Sequence, residues 1–136
     1  MKIYLASDFS LADEVEIISN LLEQEGHEIL VKWWRRRELK NKFQTLSPDR
    51  FYAQPECKEA YEMDYQGVKD CDLLILVSNP ITPKFCGANV EVGMAYAWGK
   101  PVYSLYNIQN SAMYYPVKRC LSLIELFQEL RAEKNE

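Results

Sequence analysis

KIYLASDFSLADEVEIISNLLEQEGHEILVKWW, residues 2 to 34, is the stretch on which the fold turns. Lys2 to Ala6 is a short run with the β-branched and aromatic character of a strand. Ser7-Asp8-Phe9 then turns into Ser10, whose hydroxyl can cap a helix with Asp13 three residues on. Leu11, Val15, Ile18 and Leu22 follow the helical period with Ile17 and Leu21 alongside, and Gly26 supplies a left-handed stop. Glu28 to Trp34 reads as a second strand. Strand, helix and strand within about 30 residues imply a parallel pair joined by a right-handed crossover.

Further along, DLLILVS (72–78) is a continuous apolar run, typical of a strand covered on both faces. A helix from Glu56 to Lys69 precedes it and a loop, Asn79 to Cys86, follows it. GANVEVGMAYAWGKPVY (87–103) then opens like a glycine turn into a helix and closes with Gly-Lys-Pro, where the helix stops and a strand, Pro101 to Tyr106, begins. Residues 35 to 55 are polar without a sustained period and read as an irregular excursion with one short helix. Beyond Tyr106 the chain runs polar to Pro116. A short strand at Val117 to Cys120 comes next, then a helix capped by Ser122 with Leu123, Leu126, Phe127 and Leu130 on one face. The expectation is an α/β fold: a doubly wound, flavodoxin-like parallel sheet of four or five strands in the order 2-1-3-4-5, with helices on both faces, in a single domain over residues 1–136. That order places ligands beyond the carboxyl ends of strands 1 and 3, at Ser7 to Ser10 and Asn79 to Asn89.

Bulk properties exclude several classes. With 48% hydrophobic and 26% charged residues the 136-residue chain has an ordinary globular balance, and no apolar run approaches the roughly 18 residues of a membrane span. MKIYLA passes straight into a polar loop, too short for a secretory signal, so a cytoplasmic location and no membrane partner are expected. Cys57, Cys71, Cys86 and Cys120 lie far apart and His27 is the only histidine, which leaves a metal site unsupported and suggests reduced, mostly buried thiols. A net charge of -4 argues against nucleic acid as a general partner. The local basic run KWWRRRELKNK (32–42) reads either as a solvated surface segment or as an anion or partner site built from Trp33, Trp34, Arg35, Arg36 and Arg37.

Two acids stand out. Ala60, Met63, Gly67 and Val68 should face the sheet, and Asp64 falls on the same face; either it bonds a nearby hydroxyl or amide at an edge, or it points into the ligand crevice. Glu91 is expected near the start of its helix, where the dipole favours an acid and its ionised form. It is then either a helix-end charge or, facing the crevice, a competent nucleophile. Gly87 and Ala88 leave space for a sugar beside it, and Gly93 would let the helix pack closely on the sheet.

KIYLAS (2–7), MDYQGVKDCDLLILV (63–77) and GANVEVGMAYAWGKPV (87–102) together resemble the nucleoside 2-deoxyribosyltransferase family. The resemblance implies that Glu91 attacks the anomeric carbon and displaces the base, giving a glycosyl ester. It also implies that Asp64 contacts sugar or base and helps protonate the leaving base, and that the Tyr4 hydroxyl touches the nucleophile. Loop residues at the same edge, Ser7, Asp8, Phe9, Ser78, Gly87, Ala88 and Asn89, are the expected substrate contacts. Asn110-Ser111-Ala112-Met113 is similar to the segment by which the related nucleoside 5′-monophosphate hydrolases lend a serine to a neighbouring subunit, which adds Ser111 and Met113 and implies a homodimer or higher oligomer. Two positions depart from the family. Phe85 stands six residues before Glu91, where transferases carry an Asp that handles the base, and Asp8 would repel a phosphate in the first loop.

The reading is therefore an enzyme without a cofactor that cleaves or transfers the N-glycosidic bond of a small-molecule nucleoside or nucleotide. A non-catalytic nucleotide- or metabolite-binding module and an NAD glycohydrolase are the alternatives. A receiver domain fails because strand 3 ends Ser78-Asn79-Pro80, and a flavin nucleotide is unsupported because the first loop has no glycine.

Overall fold

A computed structural model describes residues 1–79, 87–106, 108 and 117–134. Five parallel strands, β1 (Lys2–Ala6), β2 (Glu28–Leu30), β3 (Leu73–Val77), β4 (Val102–Leu105) and β5 (Lys118–Cys120), form one sheet in the order β2-β1-β3-β4-β5. Tyr4 stands opposite Leu30 on one side and Leu74 on the other, and Leu74 opposite Val102. All five side chains of β3 are buried, as its unbroken apolar run requires of a strand with helices above and below. Each is worth roughly 1.5–3 kcal/mol against full exposure.

The helices are α1 (Ala12–Gln24), α2 (Arg37–Thr45), α3 (Pro48–Tyr52), α4 (Pro55–Asp70), α5 (Gly87–Ala97) and α6 (Leu123–Lys134). Val15, Ile18 and Leu22 bury the inner face of α1, while Ile17 stays outside. Leu126 and Leu130 do the same for α6, and Glu125 N–H donates to the Ser122 hydroxyl at 3.2 Å. Glu25 at the end of α1 pairs with Arg131 of α6 at 2.7 Å. α4 and α5 pack side by side over the Tyr4 face of the sheet.

Local structure differs from the sequence reading at several points, each with a physical cause. A 3-10 turn, Phe9–Leu11, precedes α1, and Asp8 rather than Ser10 caps it, accepting from the Ser10 N–H at 2.7 Å. β2 stops at Leu30 instead of running to Trp34, because Val31 adopts φ 53 and turns the chain out of the sheet. That conformation costs a β-branched residue on the order of 1–3 kcal/mol. A second 3-10 turn, Trp33–Arg35, follows. The excursion from 35 to 55 contains two helices, α2 and α3, where one was expected.

The tryptophans are not solvated. Trp33 and Trp34 are 6% and 2% exposed. Trp33 donates to the Leu5 carbonyl at 2.6 Å and meets Phe9 edge-on, and Trp34 donates to Glu16. Arg35 also pairs with Glu16, at 2.7 Å, so α1 ties down the segment after β2. Cys71 and Cys120 are buried free thiols and Cys57 is half-buried; Cys86 lies outside the described residues. Among the described residues no helix is long and apolar enough to cross a membrane.

Candidate active site

Tyr4 sits in the middle of β1 with its ring fully buried beneath α4. The ring lies there because Gly67 has no side chain: a β-carbon at Gly67 would stand 3.0 and 3.1 Å from the Tyr4 ring and 2.7 Å from Val31 Cγ2. Gly67, not Gly93, is the glycine of close approach, since a β-carbon at Gly93 would meet nothing within 4 Å. The Tyr4 hydroxyl emerges between α4 and α5 and donates to Glu91 Oε2. Asp64, one turn before Gly67 on α4, faces the same point and adds its charge to the surroundings of both groups. On the same helix Met63 turns outward, 49% exposed, so the inward face of α4 is narrower than its period suggested.

Glu91 lies in the second turn of α5, not the first. The helix dipole fades within one turn, and burial decides the outcome instead. Its carboxyl is raised from an ordinary 4.5 to about 7, chiefly by desolvation; the negative charge of Asp64 pushes the same way, while the Tyr4 hydroxyl and Arg36 oppose. This reverses the expectation that the site favours the ionised form in the free protein. Burial likewise raises Asp64, against Arg36 and the Tyr4 hydroxyl. The Tyr4 phenol is driven far above its usual range by burial and by both carboxylates, so it stays a hydrogen-bond donor.

Arg36 is the residue that the sequence reading did not place here. Its Nη1 stands 3.0 Å from Asp64 Oδ1 and donates to Oδ2 at 3.2 Å. Two adjacent arginines thus diverge, Arg35 to Glu16 of α1 and Arg36 to Asp64 of α4. A signal existed: an acid on an inward helix face calls for a cation, and the strand order puts the end of β2 beside β1. Arg36 Nη2 and Asp64 Oδ1 are buried and find no hydrogen-bond partner among the described residues.

The carboxyl edge of the sheet holds the other expected contacts, most of them engaged in the scaffold. Ser7 donates to the Val77 carbonyl at 2.6 Å and ties β1 to β3. Asp8 caps the first 3-10 turn, and Phe9 packs on Trp33. Ser78 is half-buried beside β4, its N–H donating to the Leu105 carbonyl at 3.2 Å. Gly87 opens to free space, Ala88 is buried and Asn89 half-buried. Ser111, Met113 and Phe85 lie outside the described residues. Among the described residues no group of three His, Cys, Asp or Glu side chains is placed to hold a metal ion.

Two acids and a tyrosine gathered under one α/β sheet can be compared with known proteins. The family model for nucleoside 2-deoxyribosyltransferase matches residues 3–133. Among curated proteins no sequence matches. The fold is similar to that of the 2-deoxyribosyltransferase from Bacillus psychrosaccharolyticus, with a TM-score of 0.70 and 19% identity over 93% of this chain and 90% of that one. It is also similar to the Clostridium botulinum CMP N-glycosidase BcmB, with a TM-score of 0.61 and 18% identity over 96% of this chain and 99% of that one. With a family match that spans nearly the whole sequence, and a fold that agrees with it, the chain belongs to the nucleoside 2-deoxyribosyltransferase family.

Proposed function

We propose that this protein cleaves the N-glycosidic bond of a nucleoside or nucleotide, with Glu91 as nucleophile. The observation that carries the reading is the Tyr4–Glu91 hydrogen bond with Asp64 facing it, in a chain of this family. A transferase and an N-glycosidase are among the proteins that share its fold, and their common step is loss of a base from the anomeric carbon.

Two carboxyls beside one guanidinium set the proton count. With both ionised, Asp64, Glu91 and Arg36 sum to one negative charge; with one proton bound they sum to zero, which a desolvated site favours. In the reactive state that proton is on Asp64 and Glu91 is ionised, its charge steadied by the Tyr4 hydroxyl. A Glu91 oxygen bonds to the anomeric carbon as the carbon–nitrogen bond breaks; the bond's electrons pass to the base nitrogen, which takes the Asp64 proton. Water or a second base then attacks the same carbon and frees Glu91, its proton passing to Asp64.

The test is chromatographic detection of free base from ribo- and deoxyribonucleosides, their 5′-monophosphates and NAD, with and without an acceptor base. Wild type should release base, Glu91→Ala should release none, and Asp64→Asn should slow release by about 10²-fold or more, the typical worth of a general acid. A folded wild type that releases no base from any of them leaves the binding-module reading in its place, and release of nicotinamide alone identifies an NAD glycohydrolase.

A further inference from the structure

We propose that Glu16, on α1 and outside the catalytic cluster, is a positioning residue for the reaction: it grips Trp34 and Arg35 and so fixes the turn that carries Arg36 to Asp64. What Arg36 and Asp64 do in turnover rests on the base-releasing reading above; how Arg36 is held goes beyond it.

Between β2 and α2 the chain forms a strut that is fastened along its whole length. Val31, at φ 53, sets its Cγ2 against α4 at Gly67, and Arg36 meets the same helix about one turn earlier, 3.0 Å from Asp64 Oδ1. Trp33 donates to the carbonyl of Leu5, the residue after Tyr4, and its ring stands edge-on to Phe9 and to Trp34. Trp34 donates to Glu16, and Arg35 donates to the same carboxylate through Nη2 at 2.7 Å and Nε at 3.2 Å. The Leu5 carbonyl is backbone, whereas Glu16 is a side chain that takes three donors from two successive residues. A guanidinium fork on a carboxylate fixes direction as well as adding strength, which an apolar neighbour covering Trp34 would not do. A left-handed β-branched residue persists only where its surroundings over-determine it, and such strain gathers at functional sites. The strained strut ends on Arg36, whose guanidinium is the positive group of the acid cluster.

Among the described residues, the charged and titratable groups that act on Glu91 are Tyr4 of β1, Asp64 of α4 and Arg36; Glu16 is not one of them. Arg36 favours the ionised form of both acids. If the turn slackens and Arg36 withdraws, both acids hold their protons more tightly. The sign separates positioning from a direct field. Loss of the negative charge at Glu16 would by itself make Glu91 release its proton more readily, the opposite shift.

Carbon-13 NMR of the glutamate carboxyls in the full chain, titrated between about pH 4 and about pH 9, follows that proton without turnover. The Glu91 signal is assigned by its loss in Glu91→Gln. Arg36→Gln should raise the Glu91 midpoint by about half a pH unit or more, roughly threefold in proton affinity, and Glu16→Ala should raise it too. Glu16→Gln keeps the size and an acceptor, so it serves where Glu16→Ala fails to fold, with a smaller rise. In the base-release assay the acid limb of kcat/KM should move up with the NMR midpoint. Glu16→Ala added to Arg36→Gln should raise the midpoint no further and leave kcat/KM where Arg36→Gln put it, while it still lowers the urea midpoint, since the bonds to Trp34 and Arg35 are lost in either background. A Glu91 midpoint unchanged or lowered in a folded Glu16→Ala or Glu16→Gln protein, or a full further loss of kcat/KM in the double variant, overturns the proposal. A Glu91 midpoint raised by Glu16→Ala in a protein that releases no base would refute the proposed reaction and uphold the positioning.

Discussion

Replacing Gly67 by alanine sets a methyl group 2.7 Å from Val31 Cγ2 and 3.0 Å from the Tyr4 ring. Carbon atoms rest at about 3.5–4.0 Å, so one neighbour must move by roughly an ångström. Val31 is a poor candidate, being β-branched and held at φ 53. Moving the Tyr4 ring would not relieve the 2.7 Å contact with Val31, so α4 must back away from β1, and the Tyr4 ring, seated against the same position, loses its support and with it the placement of the hydroxyl that reaches Glu91. In the helix itself alanine is better than glycine by about 1 kcal/mol, while overpacking costs about 1–3 kcal/mol, so the net destabilisation is expected between nothing and about 2 kcal/mol. Activity should suffer more. A hydrogen bond to a charged group is worth about 1.5–3 kcal/mol, or roughly 10- to 100-fold in rate. The assay is base release together with urea unfolding, on Gly67→Ala, Tyr4→Phe and the double variant. Both single variants should lose a similar factor and the double variant little more, because they remove one interaction. A Gly67→Ala protein as active as wild type, or losses that multiply fully in the double variant, would refute the reasoning.

The remaining expectations concern protons and assembly. Since Glu91 must be ionised to attack while Asp64 must keep the proton it gives to the base, kcat/KM should be bell-shaped, falling about tenfold per pH unit on the acid side as Glu91, raised to about 7, takes up a proton, and falling again on the alkaline side as Asp64 loses its own; an acid limb near pH 4.5 would contradict the burial argument. Stability should show the opposite sign. A folded-state value above the unfolded 4.5 means that the native protein holds the proton more tightly, so this contribution is full below about pH 4.5 and is lost as pH rises to about 7. The difference between 4.5 and about 7 is at most about 3 kcal/mol, so Glu91→Gln should raise the urea midpoint at pH 8 and barely alter it at pH 4.5. If the segment 110–115 completes a neighbour's site, as the family resemblance implies, light scattering at micromolar concentration should give a dimer or larger. A monomer that still turns over would require each site to be completed within one chain.

Much of this architecture can be read from the residues, for reasons that also mark the limit. The run Leu73–Val77 could be nothing but a strand buried on both faces, and the period of α1 between two short strands dictated a parallel pair. Asp64 was visible because an acid among inward-facing apolar positions is costly, Glu91 because an acid stood near the start of an apolar helix, and Tyr4 came with the family resemblance. Features decided by tertiary structure were not visible. Nothing local marks Val31 as left-handed, yet that angle shortens β2, buries Trp33 and Trp34, and delivers Arg36 to Asp64. Glycine looks alike in sequence at 67 and 93, and only the depth of the strand beneath tells them apart. The one-turn displacement of Glu91 within α5 likewise separates a charge helped by the dipole from one hindered by burial.

The most direct test of the central claim is the mass of the glycosylated protein. Wild type mixed with the nucleoside or nucleotide that it cleaves, quenched in acid within the first turnovers and digested, should carry one sugar mass on the peptide that contains Glu91. Peptides containing Asp64 should stay unmodified, and the Glu91→Ala protein should carry no adduct. Rapid base release with the sugar on any other peptide, or with no adduct on Glu91 under conditions where Asp64→Asn slows turnover, would show that Glu91 is not the nucleophile.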